Sequence, residues 1–162
     1  MEAPRIRQVG AGYRSDLFHT EGRKCEPHTL LYAGKYSAAK GLPQLLNVFE
    51  GLLTDQASLR LHVAGAGAGA EADALRERME AMGPSVILHG MLDQAALSDL
   101  MRRTRCFVLP SFYEGLPLVL VEAYACGNRL VATALDGIKE QLAPHLGDAL
   151  ELVGPPAMCG PD

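Results

Sequence analysis

The feature that most constrains the fold is the alternation, from Thr29 onward, of short apolar runs with segments of helical period. This alternation predicts parallel strands joined by crossover helices. The predicted strands are 29–33, 59–64, 86–89, 106–109, 129–133 and 149–153, and the predicted helical segments are 43–53, 71–82, 94–103, 117–126 and 138–142. The sequence therefore predicts an α/β, three-layer, Rossmann-like domain with a parallel sheet of about six strands.

The ends of the chain differ from its middle in composition. Residues 1–28 contain only short apolar pieces and are expected to form an N-terminal flank or linker, whereas residues 154–162 are rich in Pro and Gly and are expected to be a flexible tail. Neither end is expected to build a core element. Residues 29–153 then form one folded domain, as if cut from something longer.

Charge and residue usage exclude several classes of partner. The chain has 15 basic and 19 acidic side chains, a formal net charge of -4, and no basic cluster of the kind that binds nucleic acid. The four cysteines show no C-x-x-C pairing, so we expect reduced thiols and a cytoplasmic location, and the five histidines are too scattered to be interpreted as a metal-binding set. No apolar run reaches the roughly 18 residues that span a bilayer.

Candidate site residues lie in the loops that follow the predicted strands, because parallel sheets bind ligands at the carboxyl ends of their strands. Glu122 is conspicuous, since its neighbours in the predicted helix are apolar and none can neutralise a carboxylate. It is either a ligand-binding group or an acid at the rim of a partly buried helix. Glu114 similarly either binds a ligand or complements the positive end of that helix.

A glycine-rich turn, Gly65 to Ala70, matches the dinucleotide fingerprint G-x-G-x-x-A. A dehydrogenase interpretation is rejected because the turn follows the second predicted strand and Glu71 and Asp73 place negative charge at the following helix. The next strand also ends in His89, which could line a pocket or be structural, rather than in an acid that could hold a ribose. The glycines are interpreted as a permissive turn that admits a ligand closely.

Three motifs occur in order along the chain and together resemble one enzyme family. The stretch from Phe112 to Ala123 resembles the E-x7-E signature of the GT4-type retaining glycosyltransferases, also called glycosyl transferases group 1. Gly34-Lys35 followed by Lys40-Gly41 resembles that family's G-R-x-x-x-x-K-G segment, and Leu61 to Gly67 its strand and glycine turn. Val9 to Gly12, with Phe18 following, is similar to the segment that precedes the donor domain. The resemblance implies the C-terminal, donor-binding half of a GT-B architecture.

The resemblance also implies roles for individual residues. Lys35, Lys40 and Glu114 would be catalytic, with both lysines on the diphosphate and Glu114 on the donor sugar. The remaining donor-binding residues would be Gly34, Gly65, Gly90, Met91, Leu92, Gly115, Leu116, Pro117, Leu118 and Glu122, of which Glu122 would bind the ribose and residues 90–92 would lie near the base. The lysines and a helix N-terminus would offset the leaving group's charge without a metal or cofactor. Lys35 departs from the family's usual Arg and cannot form a planar bidentate contact.

The expected function is transfer of a sugar from a nucleoside diphosphate sugar, for example a UDP- or GDP-sugar, to an acceptor. The N-terminal acceptor domain would be the main partner, and any peripheral membrane association would come through that domain. Without it this chain is expected to bind donor weakly and turn over little. Two alternatives remain: a GT-B nucleotide-sugar epimerase domain and a non-catalytic nucleotide-sugar-binding module.

Overall fold

A computed structural model describes residues 12–154 of the chain. The strands are β1 (Thr29–Ala33), β2 (Arg60–Ala64), β3 (Val86–Gly90), β4 (Cys106–Leu109), β5 (Arg129–Thr133) and β6 (Leu150–Val153). The α-helices are α1 (Leu42–Asp55), α2 (Ala70–Ala81), α3 (Gln94–Arg103), α4 (Leu118–Ala125), α5 (Asp136–Gln141) and α6 (Ala143–Leu146), and short 3₁₀ helices span Ala38–Lys40, Gly83–Ser85 and Gly147–Ala149. Cys159, most of the predicted tail and Val9 to Ala11 lie outside the described residues.

The strands form one six-stranded sheet in the order β3-β2-β1-β4-β5-β6, and every neighbouring pair is parallel. The chain first builds outward from β1 to β3 and then crosses back to place β4 on the other side of β1. Strand order therefore reverses between β1 and β4, and the loops after these two strands diverge from one crevice.

Alternate residues of the strands enter two separate cores, one on each face of the sheet. Leu31 of β1 and Phe107 of β4 pack with buried side chains of α3, α4, α5 and α6, whereas Tyr32 and Val108 pack with those of α1 and α2. This alternation follows from the two-residue period of a strand. The described fold is thus the predicted three-layer arrangement, helices on both faces of a parallel sheet.

Three details differ from the sequence-based expectations. Phe18 is 1% exposed and belongs to the core under α3 and α4, so the N-terminal flank contributes a buried side chain although no core contribution was expected from it. Helix α4 begins at Leu118 rather than Pro117, which occupies the N-cap position. The segment after β5 forms two short helices, α5 and α6, because Pro144 has no N–H to continue the first one.

Cys25, Cys106 and Cys126 are free thiols. Burial raises the pKa of Cys106 and Cys126 to about 11, so these two are packing residues and not reactive thiolates. Within residues 12–154, no helix combines the length and the apolar character needed to cross a membrane. The same stretch contains no group of three or more His, Cys, Asp or Glu side chains arranged to hold a metal ion.

Candidate functional site

Two adjoining cavities lie at the carboxyl ends of β1 and β4, where the strand order reverses. The larger, of about 430 Å³, extends toward β2 and β3 and is lined by Ala33, Gly34, Lys35, Ala64, Gly65, Ala66, Met91, Leu92, Leu97 and Val119. The smaller, of about 210 Å³, lies toward α4 and is lined by Tyr32, Ala33, Gly34, Lys40, Leu109, Ser111, Glu114, Pro117, Leu118 and Val119. Ala33, Gly34 and Val119 line both, so the two form one crevice.

Glycine at position 65 allows the loops after β1 and β2 to touch. Gly65 has φ +137°, and a Cβ built on it would lie 1.9 Å from the carbonyl oxygen of Gly34. Hydrogen bonds then link three loops along the edge of the sheet: the Gly34 N–H donates to Ala64 O at 2.9 Å, and the Gly65 N–H donates to Gly90 O at 2.7 Å. The floor of the larger cavity is therefore backbone, held at close approach.

The loop after β1 is tied on its other side to the loop after β4. Gly41 has φ +70°, and a Cβ there would lie 1.9 Å from the carbonyl oxygen of Pro110. The Phe112 N–H donates to Ala39 O at 3.1 Å. Because of these contacts, residues 35–41 and 110–114 face each other across the crevice at a fixed separation.

Lys40 and Glu114 form an ion pair between these two loops. Lys40 Nζ donates to Glu114 Oε1 at 2.7 Å, and the side chains are 35% and 16% exposed. The two residues are 74 positions apart in the sequence, and both line the smaller cavity. One cation and one anion thus line a cavity whose other walls are mostly apolar side chains and backbone.

Tyr32 supports the Lys35 turn from below. Its side chain is 1% exposed, and its hydroxyl donates to the backbone carbonyl of Lys35 at 2.7 Å. Burial and the nearby Glu114 carboxylate raise the pKa of Tyr32 far above its usual range, so the hydroxyl keeps its proton and remains a donor. Lys35 itself is exposed and lines the larger cavity.

Sequence reasoning did not assign Tyr32, Glu71 or Ser111 to the site. The Ala38 N–H donates to Glu71 Oε1 at 2.7 Å, so the acid at the start of α2 anchors the short 3₁₀ helix that carries Lys40. Ser111 is 1% exposed, lines the smaller cavity, and its hydroxyl has no hydrogen-bond partner among residues 12–154. Ser111 could have been found from the sequence, because it lies two residues after β4, in a loop where ligands are expected. The Glu71 contact could not have been found in this way, because it joins residues 33 positions apart.

The structure brings most of the predicted site residues together. Lys35, Lys40, Glu114, Gly34, Gly65, Met91, Leu92, Pro117 and Leu118 line the crevice, and Gly90 holds the adjacent loop with φ +66°. Gly115 and Leu116 are not among the residues that line either cavity. Gly115 instead approaches the start of α5, since a Cβ on Gly137 would lie 2.8 Å from the Gly115 carbonyl oxygen.

Glu122 lies on α4, one turn beyond Val119, and lines neither cavity. Its side chain is half-buried, and no hydrogen bond or ion pair to its carboxylate is found among residues 12–154. Burial raises the pKa of this carboxyl. Val119 lines both cavities, and residues three apart on a helix share a face, so Glu122 stands on the crevice side of α4.

An open parallel sheet with this strand order and a charged crevice at its switch point defines a class of α/β domain whose members bind ligands at the carboxyl edge of the sheet. The model for the family Glycosyl transferases group 1 matches residues 27–156. The chain belongs to this family, and the resemblance first indicated by the three motifs is confirmed.

Curated relatives give the same assignment. The chain is 30% identical over 125 residues to GDP-mannose:cellobiosyl-diphosphopolyprenol alpha-mannosyltransferase of Xanthomonas campestris, covering 76% of this chain and 33% of that protein. It is 31% identical over 135 residues to phosphatidyl-myo-inositol mannosyltransferase of Mycolicibacterium smegmatis, covering 82% and 34%. The chain therefore spans about a third of the length of these relatives.

Solved structures share the fold. Sucrose-phosphate synthase from Thermosynechococcus elongatus superposes with a TM-score of 0.75 at 24% identity, covering 95% of this chain and 41% of that one. The C-terminal domain of a glycosyl transferase group 1 family protein from Francisella tularensis superposes with a TM-score of 0.73 at 19% identity, covering 90% and 81%. The predicted Rossmann-like domain of the C-terminal GT-B type is confirmed.

Proposed function

We propose that this chain is the donor-binding domain of a retaining glycosyltransferase that uses a nucleoside diphosphate sugar. The observation that carries the proposal is the crevice between the loops after β1 and β4, with Lys40 and Glu114 facing each other across it. The Lys40 ammonium group suits a phosphate, and the Glu114 carboxylate suits sugar hydroxyls. Together with the larger, mostly apolar cavity beside them, they match the phosphates, the sugar and the base of such a donor.

The cations and the start of α4 suit the diphosphate. In the transfer, the bond from the sugar's anomeric carbon to the diphosphate breaks, and the electron pair leaves with the diphosphate. The acceptor oxygen bonds to that carbon and passes its proton to an oxygen of the departing diphosphate. Lys35 and Lys40, with the positive N-terminal end of α4, would stabilise the charge that develops on the leaving group. In this proposal Lys35, Lys40 and Glu114 are the catalytic residues, and the lysines serve in place of a divalent metal.

The larger cavity would take the nucleoside. Met91 and Leu92 supply apolar contacts for a base, and the backbone of Gly34 and Gly65, which lines the same cavity, would meet phosphate oxygens. Glu122 would accept hydrogen bonds from the ribose hydroxyls. The raised pKa of its half-buried carboxyl supports this role, because burial without a partner among the described residues is relieved when a ligand donates to it.

The proposal includes the setting of the domain. Its acceptor would be held by a second, N-terminal domain, and any contact with a membrane would come through that domain. Three free thiols among the described residues favour a reducing, cytoplasmic compartment. The names of the relatives include a GDP-mannose-dependent mannosyltransferase, which supports a nucleoside diphosphate sugar as donor.

The test is calorimetric titration of the chain with UDP, GDP and their hexose conjugates. We expect saturable binding of at least one nucleoside diphosphate, weakened about ten-fold or more by Lys40→Ala, because a charge-assisted hydrogen bond contributes about 1.5–3 kcal/mol. Glu122→Ala should weaken it to a similar degree.

Lys24→Ala is the matched control. It also removes one exposed ammonium group, but Lys24 lies by Glu26, Asp99 and Arg103, beyond the opposite end of α3 from the crevice. Binding by Lys24→Ala should equal that of the unmodified chain. The assignment of the site is wrong if no nucleoside diphosphate saturates, or if both Lys40→Ala and Glu122→Ala bind as the unmodified chain does.

A further inference from the structure

In the ion pair, Lys40 and Glu114 bind each other, whereas in the proposed complex Lys40 binds the diphosphate and Glu114 binds the sugar. Lys40 Nζ lies 2.7 Å from Glu114 Oε1, and the loops that carry them are fixed by the Phe112-to-Ala39 hydrogen bond and the Gly41 contact with Pro110. Neither side chain can therefore avoid the other by a loop displacement. Without a ligand, Glu114 occupies the position on Lys40 that an anionic oxygen would take.

We infer that Glu114 competes with the diphosphate for Lys40 and is thereby the residue that distinguishes a nucleoside diphosphate sugar from the bare nucleoside diphosphate. This inference rests on the proposed function, since it assumes that a diphosphate enters the crevice. A diphosphate attracts the Lys40 ammonium and repels the Glu114 carboxylate, so binding exchanges one anion for another.

The displaced Glu114 carboxylate then needs new hydrogen-bond donors. It is 16% exposed, and a carboxylate removed from its partner at this degree of burial is unfavourable. The hydroxyls of a donor sugar can supply these hydrogen bonds, whereas a bare nucleoside diphosphate has no group at that position. The exchange is thus more favourable for the intact donor than for the product that remains after transfer.

A second polar group in the same cavity supports an occupant with hydroxyl groups. The buried hydroxyl of Ser111 has no partner among residues 12–154, although it lies in the cavity that Lys40 and Glu114 share. An unpartnered buried hydroxyl is unfavourable until a polar group reaches it. The sugar side of the crevice therefore offers a carboxylate and a hydroxyl beside a single cation.

The experiment compares Glu114→Gln with the unmodified chain, using the nucleoside diphosphate that binds and its hexose conjugate. Glutamine keeps the size and the hydrogen-bonding capacity of the side chain but removes its charge. We expect Glu114→Gln to bind the bare nucleoside diphosphate about five- to ten-fold more tightly and to lose most of the preference for the conjugate. Glu114→Ala should also bind the bare nucleoside diphosphate more tightly, while its loss of sugar contacts weakens the conjugate.

The matched control is Glu80→Gln, which removes one exposed carboxylate near the end of α2 remote from the crevice and should leave both affinities unchanged. When Lys40 is also replaced by Ala, the gain in affinity for the bare nucleoside diphosphate from Glu114→Gln should be at least three-fold smaller. The reason is that the carboxylate and the diphosphate then have no Lys40 ammonium group to compete for.

The possible failures are distinct. Absence of any nucleoside diphosphate binding by the unmodified chain would contradict the proposed function itself. Normal binding that Lys40→Ala weakens, but that Glu114→Gln and Glu114→Ala fail to strengthen, would leave the donor site intact and overturn the competition. An equal gain in both backgrounds would likewise overturn it, since repulsion alone would then explain the effect. Thermal melts of each variant exclude a folding defect as the cause.

Discussion

Replacing Gly65 by Ala should disrupt the edge of the sheet on which the whole crevice depends. Two effects act at this position. The backbone has φ +137°, a region that residues with a Cβ avoid, and the new Cβ would lie 1.9 Å from the Gly34 carbonyl oxygen and 2.9 Å from the Gly34 carbonyl carbon. Ordinary contacts between these atoms exceed 3 Å, so the loop that presents Lys35 must move by more than 1 Å or the chain must change its conformation at Gly65.

The magnitude follows from these two effects. A non-glycine residue in a left-handed region costs about 1–2 kcal/mol, and inserting an atom into a packed contact costs about 1–3 kcal/mol. The free energy of unfolding should therefore fall by about 2–5 kcal/mol. For a chain of this size, at roughly 3 °C for each kcal/mol, the melting temperature falls by roughly 6–15 °C.

Two further glycines separate the contributions. Gly83 has φ +58° but no atom within 4 Å of a built Cβ, so Gly83→Ala should lower stability by about 1 kcal/mol through backbone strain alone. Gly51 lies inside α1 with open space around it, so Gly51→Ala should raise stability by about 0.5–1 kcal/mol.

The assay is thermal unfolding followed by circular dichroism, with nucleoside diphosphate binding measured on the same samples at a temperature where each variant is folded. Gly65→Ala should bind at least several-fold more weakly, whereas Gly83→Ala and Gly51→Ala should bind normally. If Gly65→Ala melted within about 1 °C of Gly83→Ala, the contact with Gly34 would not be what requires glycine, and the reasoning would be refuted.

Two more predictions concern buried polar pairs. His62 Nδ1 lies 2.9 Å from His89 Nε2. Burial, and then the neighbouring His89, lower the pKa of His62 in the folded protein. The contribution of neutral His62 to stability is therefore fully present above the unfolded-state pKa of about 6.5 and is lost as the pH falls through the lower pKa of the folded state. Melting temperatures measured between about pH 5 and about pH 7.5 should therefore rise with pH, and His62→Gln should flatten the profile; an unchanged profile in that variant would contradict the assignment. Tyr32→Phe removes the hydrogen bond to the Lys35 carbonyl oxygen, so it should lower the free energy of unfolding by about 0.5–1.5 kcal/mol and the affinity for a nucleoside diphosphate a few-fold. The control Tyr113→Phe, at a side chain that is 81% exposed, should change neither quantity.

Local patterns in the sequence were sufficient to predict most of the strands and helices. The bounds of β1, β4, β5 and α3 agree with those predicted, because each is a run whose apolar residues repeat with the period of a strand or a helix. Element ends that depend on a single residue were less accurate: α4 starts one residue later than predicted, and Pro144 divides the last helical segment. The burial of Phe18 was not predicted, because a single aromatic residue in a polar flank has no periodicity.

The sequence by itself determined the class of fold, the family and the loops in which the candidate site residues lie, because periodicity and motif spacing are properties of neighbouring residues. Tertiary structure alone decided that β1 lies between β2 and β4, and therefore that Lys40 meets Glu114 across 74 positions of chain. It also placed Glu71 on the Lys40 loop, the Tyr32 hydroxyl under Lys35 and Glu122 outside the two cavities. Strand order is set by the packing of whole helices on the two faces of the sheet, and no local pattern records that packing.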